Sequence, residues 1–292
     1  MVQTTAPPEL PPRISILGLG LIGGSIGLGL AAARVVSGFD VNPDTVLLAQ
    51  KLGAIHHAMP SAALAVADAD LVILAGPVDA NVRLLGEISN ALQPHALVTD
   101  TGSVKEAICR AGKQLLGSRF IGGHPMAGGT GSGIRSAQGQ LLNGAAWALI
   151  PADRGGISSR RYRAVEALVR HVGARPIPAS APEHDAAAAL ASHLPHLISW
   201  AYSGTVSADR AGELAHRLAG GSYRDMMRVA ASNPELWSGI LTANAARLEA
   251  AAAQFSRSFD TLVTAIHAGD APALAELLRA SAADKTRLRR RR

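Results

Sequence analysis

Residues 14–23 read ISILGLGLIG, a short apolar run that leads into three glycines at the spacing G-x-G-x-x-G. The apolar run predicts a buried strand, and the residues behind the glycines predict the start of a helix. In such a strand–loop–helix unit, Gly18 permits the tight turn, Gly20 lets the backbone approach a pyrophosphate, and Gly23 lets the helix pack on the strand. The stretch therefore predicts a dinucleotide-binding unit.

An acidic residue at a suitable distance strengthens this prediction. Asp40 lies 22 residues after Gly18 and ends the next β-rich run, residues 35–40. A carboxylate there accepts hydrogen bonds from the adenosine ribose and repels a 2′-phosphate, so the cofactor predicted is NAD rather than NADP. Five further residues are predicted to contact the cofactor, at the start of the helix and after the candidate strands 70–75 and 96–100: Leu21, Ile22, Gly76, Pro77 and Ser103.

Two rival motifs occur in the chain. Residues 23–27 also fit G-x-S-x-G, the nucleophile elbow of hydrolases, but that interpretation leaves Asp40 unexplained and puts Ser25 inside a helix. His193 and His196 are three residues apart and could be two metal ligands, yet no nearby acidic or cysteine partner completes a set. We therefore expect neither a hydrolase nor a bound metal.

The composition is that of a folded protein of about two domains. Of the 292 residues, 48% are apolar and 17% are charged, far from the composition that keeps a chain unfolded. The single cysteine, Cys109, excludes an intrachain disulfide and fits a reducing compartment, so we expect a cytoplasmic protein. Residues 14–36 are long and apolar enough for a membrane span, but their six glycines and their change from a strand-like to a helix-like pattern argue against a membrane partner.

Most of the net charge belongs to the C-terminus. The chain has 28 basic and 22 acidic residues, a net charge of +6, and five of the basic residues lie in the last six positions. A run of this kind is usually solvated and disordered. With only 3% aromatic residues in the chain, no nucleic-acid partner is expected.

Strand-like and helix-like segments alternate in the first part of the chain. Residues 1–12 are rich in Pro and Thr and are expected to be disordered. From residue 13 to residue 178, β-rich runs alternate with helical patterns, which predicts an α/β, Rossmann-type domain with a doubly wound, largely parallel sheet. The candidate strands are residues 14–17, 35–40, 70–75, 96–100, 119–121, 145–150 and 175–178, and the candidate helices include residues 81–92, 103–116 and 160–172.

The pattern changes after residue 178. Ala- and Leu-rich segments without strand patterns predict an all-α substrate and dimerisation domain over residues 179–285, followed by a basic tail over residues 286–292. Pro195 is expected to kink the first of these helices, because proline lacks an amide donor. A helical domain so rich in small apolar residues is expected to bury part of its surface in a homodimer.

Two loops follow candidate strands at the edge of the sheet where such folds bind ligands. The first is residues 99–105 (TDTGSVK), and the second is residues 122–133 (GGHPMAGGTGSG), which contains His124. An imidazole with a pKa near 6.5 suits the removal of a hydroxyl proton during alcohol oxidation, although a structural histidine would also fit such a loop. Arg224 and Arg228 are four residues apart on one predicted helical face, where they could clamp a carboxylate or face solvent.

Five segments together resemble the prephenate and arogenate dehydrogenase family of tyrosine biosynthesis. The resemblance extends from about residue 13 to residue 267, and its segments are GLGLIGGS (18–25), TDTGSVK (99–105), GGHPMAG (122–128), SHLPH (192–196), and residues 223–228 with NPELW (233–237). It implies an NAD-dependent oxidoreductase that converts prephenate to 4-hydroxyphenylpyruvate, or arogenate to tyrosine, by oxidative decarboxylation.

The resemblance also implies roles for individual residues. His124 would accept the proton of the ring hydroxyl, and Ser103 would orient that hydroxyl and His124 beside the nicotinamide. Arg228 would hold a substrate carboxylate, with His196 in the same pocket and Arg224 as a second candidate.

The chain departs from its relatives at one position of the motif. Many of them carry an acidic residue six positions after the catalytic histidine, where this chain has Thr130. The sequence also shows no segment like the C-terminal regulatory ACT domain of some relatives, so feedback by tyrosine, if present, is expected to act through the catalytic core. Two other functions stay open: a related β-hydroxyacid or imine reductase, which would share the glycine loop, and a non-catalytic dinucleotide-sensing protein. The sequence does not choose between prephenate and arogenate.

Overall fold

A computed structural model describes residues 10–129, 131–152 and 156–289. The strands in these ranges form one sheet and are β1 (Arg13–Leu17), β2 (Val35–Phe39), β3 (His57–Ala58), β4 (Leu71–Leu74), β5 (Leu97–Asp100), β6 (Phe120–Pro125), β7 (Ala146–Pro151) and β8 (Arg175–Pro178). Their order is β3-β2-β1-β4-β5-β6-β7-β8, and every neighbouring pair is parallel except β6 and β7. The predicted doubly wound, largely parallel sheet is confirmed.

Helices cover both faces of this sheet. The α-helices are α1 (Leu21–Leu30), α2 (Pro43–Lys51), α3 (Ala62–Val66), α4 (Val78–Ile88), α5 (Glu106–Leu116), α6 (Arg160–His171), α7 (Ala181–Ala188), α8 (Leu194–Ala208), α9 (Gly212–Arg217), α10 (Gly221–Ala230), α11 (Pro234–Ala243), α12 (Ala245–His267) and α13 (Ala271–Arg289). Buried side chains of α1, α2 and α6 form one core with the strands, and those of α3, α4 and α5 form a second core. Two apolar cores separated by one sheet are the doubly wound architecture.

The strand order reverses between β1 and β4. The chain runs outward from β1 to β3, returns to β4 on the other side of β1, and then continues to β5 and β6. In open α/β sheets, ligands bind beyond the carboxyl ends of the strands at such a switch point. The loops that follow β1 and β4 are therefore the place where a nucleotide is expected.

Contacts divide the chain into two compact units, Met1–Asn244 and Ala245–Arg292. The first unit holds the sheet and helices α1 to α11. In the second unit, helices α12 and α13 pack against each other. Helix α13 includes residues 286–289 of the predicted basic tail, whereas residues 1–9, Thr130 and residues 290–292 lie outside the described residues.

The helix that contains Pro195 changes its winding before the proline. Residues Ala189–His193 form a turn of π-helix between α7 and α8, and Pro195 then lies in the first turn of α8. Proline supplies no amide and its ring crowds the preceding turn, and the wider π turn accommodates both effects. The sequence predicts a kink at Pro195, and the structure has a π turn in the residues before that proline.

The apolar stretch at residues 14–36 contains most of β1, all of α1 and the start of β2. Within the described part of the chain, no helix is long and apolar enough to cross a membrane.

Candidate active site

The glycine loop between β1 and α1 adopts a shape that only glycine permits at two positions. Gly18 has φ +98°, and a Cβ on it would lie 2.7 Å from the backbone carbon of Ala75. A Cβ on Gly23 would lie 1.9 Å from the carbonyl oxygen of Gly18. The first glycine therefore forms the turn, and the third allows helix α1 to start against the loop, as the motif predicts.

The second glycine of the loop opens onto free space beside the start of α1. A Cβ on Gly20 would meet no atom within 4 Å, and Gly20 caps α1 without any side-chain hydrogen bond. The first turn of α1 also contains no acidic residue. An open groove next to amides that no side chain caps suits a pyrophosphate, so the residues present fit a dinucleotide.

Asp40 follows β2 directly, beside the glycine loop. Its Oδ2 accepts a hydrogen bond from the amide of Leu19 at 2.8 Å, and its Oδ1 accepts one from the amide of Asn42 at 3.0 Å. These bonds fix the carboxylate where the ribose of a dinucleotide would lie in this fold. Across the switch point, the amide of Gly76 donates to Asn81 Oδ1 at 2.9 Å and holds the loop after β4.

A cavity of about 580 Å³ lies within the first compact unit. Most of the predicted site residues line it, namely Gly20, Leu21, Ile22, Gly76, Pro77, Ser103, His124, His196 and Arg228. Three predicted residues, Gly18, Gly23 and Asp40, lie in or beside the glycine loop and do not line the cavity. Arg224 does not line it either, and its guanidinium donates to the carbonyl of Ala219 at 2.9 Å.

His124 lies on β6, paired with Ala148 of β7, and its side chain is buried. Its Nδ1 lies 2.8 Å from Nε2 of His184, and Nδ1 of His184 lies 2.7 Å from Oδ1 of Asp185. A carboxylate only accepts hydrogen bonds, so His184 donates from Nδ1. With both imidazole rings neutral, Nε2 of His184 then accepts a hydrogen bond from Nδ1 of His124. This order leaves Nε2 of His124 without a proton and able to accept one.

Asp185 also holds the N-terminus of helix α5. Its Oδ1 accepts the amide of Lys105 at 2.7 Å, and its Oδ2 accepts the amide of Glu106 at 2.9 Å. Burial alone would raise the pKa of Asp185, but the hydrogen bonds from His184 and from these amides outweigh it and lower the pKa below the usual value. Asp185 is thus an anion at neutral pH and stabilises a proton on the histidines beside it.

Burial determines the charge state of His124. It lowers the pKa of His124 well below the usual value of 6.5, and the nearby His184, Lys105 and His193 lower that pKa further. His124 is therefore neutral at neutral pH and has the lone pair that a proton acceptor needs.

A buried ion pair supports the loop that carries Ser103. Lys105 and Asp100 are fully buried and paired, and Lys105 Nζ also donates to the carbonyl of Gly123 at 2.7 Å. Asp100 accepts the amide of Gly102 at 2.9 Å and the amide of Gly123 at 3.0 Å. The pair therefore ties the Ser103 loop to β6 immediately before His124.

Aromatic rings and one arginine form a further wall of the cavity. The ring of His196 stacks on Trp237 with centroids 3.6 Å apart, and His196 Nδ1 donates to the carbonyl of Ser192 at 2.9 Å. Burial lowers the pKa of His196, which keeps its ring neutral, and the charge of Arg228 acts in the same direction. Arg228, in the last turn of α10, supplies the positive charge of this wall.

Comparisons with known proteins agree with this geometry over nearly the whole chain. Residues 30–177 match the family model described as prephenate dehydrogenase, nucleotide-binding domain, and residues 180–280 match prephenate dehydrogenase, dimerization domain. The chain belongs to the prephenate dehydrogenase family.

Characterised relatives extend this assignment. The chain is 31% identical to the prephenate dehydrogenase of Bacillus subtilis over 90% of its own length and 72% of the relative. It superposes on the Aquifex aeolicus prephenate dehydrogenase in complex with hydroxyphenyl propionate and NAD+ with a TM-score of 0.85 and 28% identity, covering 95% of this chain and 98% of that one. It superposes on the Synechocystis arogenate dehydrogenase with a TM-score of 0.80 and 29% identity, covering 94% and 99%.

Sequence reasoning missed three residues of this site. His184 and Asp185 lie 60 and 61 positions after His124, and only the packing of α7 against α5 brings them to it. Trp237 belongs to the NPELW segment but was not assigned to the pocket. The adjacent His-Asp pair just after a Ser-x-x-Glu capping box at residues 180–183 is the local signal for these two residues. We call the hydrogen-bonded chain of His124, His184 and Asp185 the relay.

Proposed function

We propose that this chain is an NAD-dependent dehydrogenase that oxidatively decarboxylates prephenate or arogenate. The observation that carries the proposal is the convergence of His124, Ser103 and Arg228 on one cavity that also contains the phosphate-binding end of α1. Bound NAD supplies the hydride acceptor. Residues of the glycine loop and of the loop after β4 hold the cofactor, among them Gly20, Leu21, Ile22, Gly76 and Pro77, with Asp40 at the adenosine ribose.

His124 accepts the proton of the ring hydroxyl at its Nε2. The imidazole ring becomes an imidazolium that keeps its Nδ1–H hydrogen bond to His184, and the negative charge of Asp185 stabilises it. Ser103 orients the hydroxyl, and its loop is held in place by the Lys105–Asp100 pair. His124 and Ser103 are the catalytic residues, whereas His184 and Asp185 are positioning residues.

Arg228 binds a substrate carboxylate, and the stacked rings of His196 and Trp237 pack beside it. Aromatisation of the ring drives the reaction, and the ring carboxylate departs as carbon dioxide. The cavity therefore has to leave that carboxylate without a pairing cation. A single cation that pairs with the side-chain carboxylate meets this need.

The same family assignment supports the rest of the organisation. Residues 13–178 form the dinucleotide-binding domain, and residues 179–285 form the helical substrate domain through which two chains form a homodimer. The enzyme works in the cytoplasm, a reducing compartment that fits a chain with a single cysteine. Burial raises the pKa of the Cys109 thiol to about 12, which suppresses the reactive thiolate.

Incubation of the purified chain with NAD and either prephenate or arogenate tests the proposal. We expect NADH to form together with an equal amount of carbon dioxide and of aromatic product. Dinucleotide binding without turnover of either compound would instead support a non-catalytic sensor. Oxidation of simple β-hydroxyacids without decarboxylation of prephenate or arogenate would support a related reductase.

A further inference from the structure

We infer that the cavity selects prephenate, whose side chain carries a keto group, over arogenate, whose side chain carries an amine. The inference rests on the proposed function and concerns the substrate preference of that site. The family assignment leaves this question open, because the relatives include a protein named prephenate dehydrogenase and another named arogenate dehydrogenase.

The two compounds differ at one group of the side chain. At neutral pH the amine of arogenate is a cationic ammonium with three donors and no acceptor, whereas the ketone of prephenate is a neutral acceptor. Moving an ammonium from water into a cavity is unfavourable unless a carboxylate or several oxygen atoms receive it. The charges that line the cavity therefore determine which compound it prefers.

No carboxylate lines the cavity among the residues that the structure describes. Arg228 is the charged residue of this lining, and the other ionisable side chains there are the imidazoles of His124 and His196. Thr130, six positions after His124, lies outside the described residues, and a threonine side chain carries no charge. The positive charge of Arg228 disfavours a second cation and favours the anionic side chain of prephenate.

Four carboxylates on the elements around this lining are committed to other partners or exposed. Asp100 pairs with Lys105, and Asp185 accepts His184 and two backbone amides. Asp225 on α10 and Glu235 on α11 are exposed and do not line the cavity. None of these four carboxylates is placed to receive an ammonium in the cavity.

Oxygen atoms near Arg228 belong to neutral groups and offer an ammonium no negative charge. Ser232 Oγ donates to the carbonyl of Val229 at 2.8 Å, and Asn233 Oδ1 accepts the amide of Leu236 at 2.7 Å. His196 Nε2, left unprotonated by the bond from Nδ1 to Ser192, offers an acceptor but no negative charge. The lining around the side chain thus supplies one cation and no anion, which suits a 2-oxo acid.

The test compares kcat/KM for the two compounds in the wild-type protein, with NADH formation as the readout. We expect kcat/KM for prephenate to exceed that for arogenate by roughly tenfold or more, since the cavity lacks a carboxylate to pair with the ammonium of arogenate. Equal or better turnover of arogenate would overturn the inference while leaving the proposed function intact. Turnover of neither compound would instead remove the proposed function.

A matched pair of variants tests the physical cause. Ser232→Asp puts a carboxylate on the lining near Arg228, and Ser232→Asn has the same shape without the charge. We expect Ser232→Asp to shift the ratio of kcat/KM toward arogenate by about tenfold relative to Ser232→Asn. The same ratio in both variants would show that charge at this wall does not govern selection, and the inference would be wrong. If Ser232→Asp does not fold, the wild-type ratio decides.

Discussion

At the scale of single residues, the chemistry depends on which nitrogen of His124 carries a proton. The chain of hydrogen bonds through His184 to the anionic Asp185 leaves Nε2 of His124 free, and burial keeps the ring neutral. Buried ionisable groups whose pKa values are shifted by a specific partner are typical of active sites. The relay therefore gives His124 both its tautomer and its ability to hold a proton during the reaction.

Removal of the charge at the end of the relay tests this role. We expect Asp185→Asn to lower kcat by about 10–10³-fold, because the imidazolium formed at His124 loses its stabilising anion. The acid limb of the pH–rate profile should also move to lower pH, since a carboxylate raises the pKa of nearby histidines. A loss of kcat with an unmoved acid limb would mean that Asp185 only supports the N-terminus of α5.

The two arginines of α10 provide a matched comparison. Arg228 lines the cavity, whereas Arg224, one turn earlier, donates to the carbonyl of Ala219 outside it. We expect Arg228→Ala to raise KM for the substrate about 10–100-fold, the effect of one charge-assisted hydrogen bond, and Arg224→Ala to leave KM within about twofold. Steady-state kinetics on both variants check this, and equal effects would argue against a specific carboxylate contact at Arg228.

Local sequence was sufficient for some of these residues and insufficient for others. His124 belongs to a glycine-rich segment, expected to be a loop and found at the end of β6, and Asp40 follows a strand at a fixed distance from Gly18. Both can therefore be predicted from nearby residues. His184 and Asp185 could not, because they join His124 only through long-range packing. The position of Arg224 could not be predicted either, because periodicity puts it on the same helical face as Arg228 without showing which of them meets the cavity.

At the scale of elements, the close approach of helix to sheet positions the strand of His124. Gly112 on α5 lies against Phe120 at the start of β6, and a Cβ on Gly112 would come within 2.2 Å of the Phe120 ring. This contact brings α5 close to the strand, while the N-terminus of the same helix is held by Asp185. Helix α5 therefore connects Asp185 of the relay to β6, the strand that carries His124.

Two glycine-to-alanine substitutions in helices should have opposite effects. We expect Gly112→Ala to lower the free energy of unfolding by ~1–3 kcal/mol, because the added methyl forces α5 away from Phe120. A Cβ on Gly86 in α4 would meet nothing within 4 Å, so Gly86→Ala should raise that free energy by ~0.5–1 kcal/mol. Denaturant unfolding of both variants measures the difference. Equal stabilities would mean that the space between α5 and β6 is not tight.

The elements themselves were predictable where their apolar pattern is local and strong. The seven candidate strands all appear in the sheet, whereas β3 is only His57–Ala58 and has no apolar run to indicate it. The π turn at Ala189–His193 was not predicted, because proline in a sequence indicates a disturbed helix without indicating how the backbone adapts.

At the scale of the whole molecule, neutral histidines in the interior make stability depend on pH. Burial lowers the pKa of His193 from 6.5 to about 4, and it lowers the pKa of His124 as well. Below pH 6.5 the unfolded chain takes up protons on these histidines while the folded chain does not. Their stabilising contribution is therefore complete above about pH 6.5 and is lost as the pH falls toward 4.

This pH dependence can be measured in a variant of one of the two histidines. His193 has no hydrogen-bond partner at Nε2 within the described residues, and its Nδ1 lies 3.1 Å from Nδ2 of Asn244. We expect the free energy of unfolding of His193→Gln to fall less steeply between pH 6.5 and 4 than that of the wild-type protein. Denaturant unfolding at several pH values provides the slopes. An unchanged slope would mean that His193 is not held neutral by the fold.

The most direct test of the whole account is the rate of hydride transfer in a single turnover of His124→Asn, followed by NADH absorbance after mixing with NAD and prephenate. We predict that NAD binds with unchanged affinity while the rate falls about 10²–10⁴-fold, the contribution of a positioned acid–base group. A rate close to that of the wild-type protein would contradict the account, because the residue on which the site converges would then take no part in the reaction.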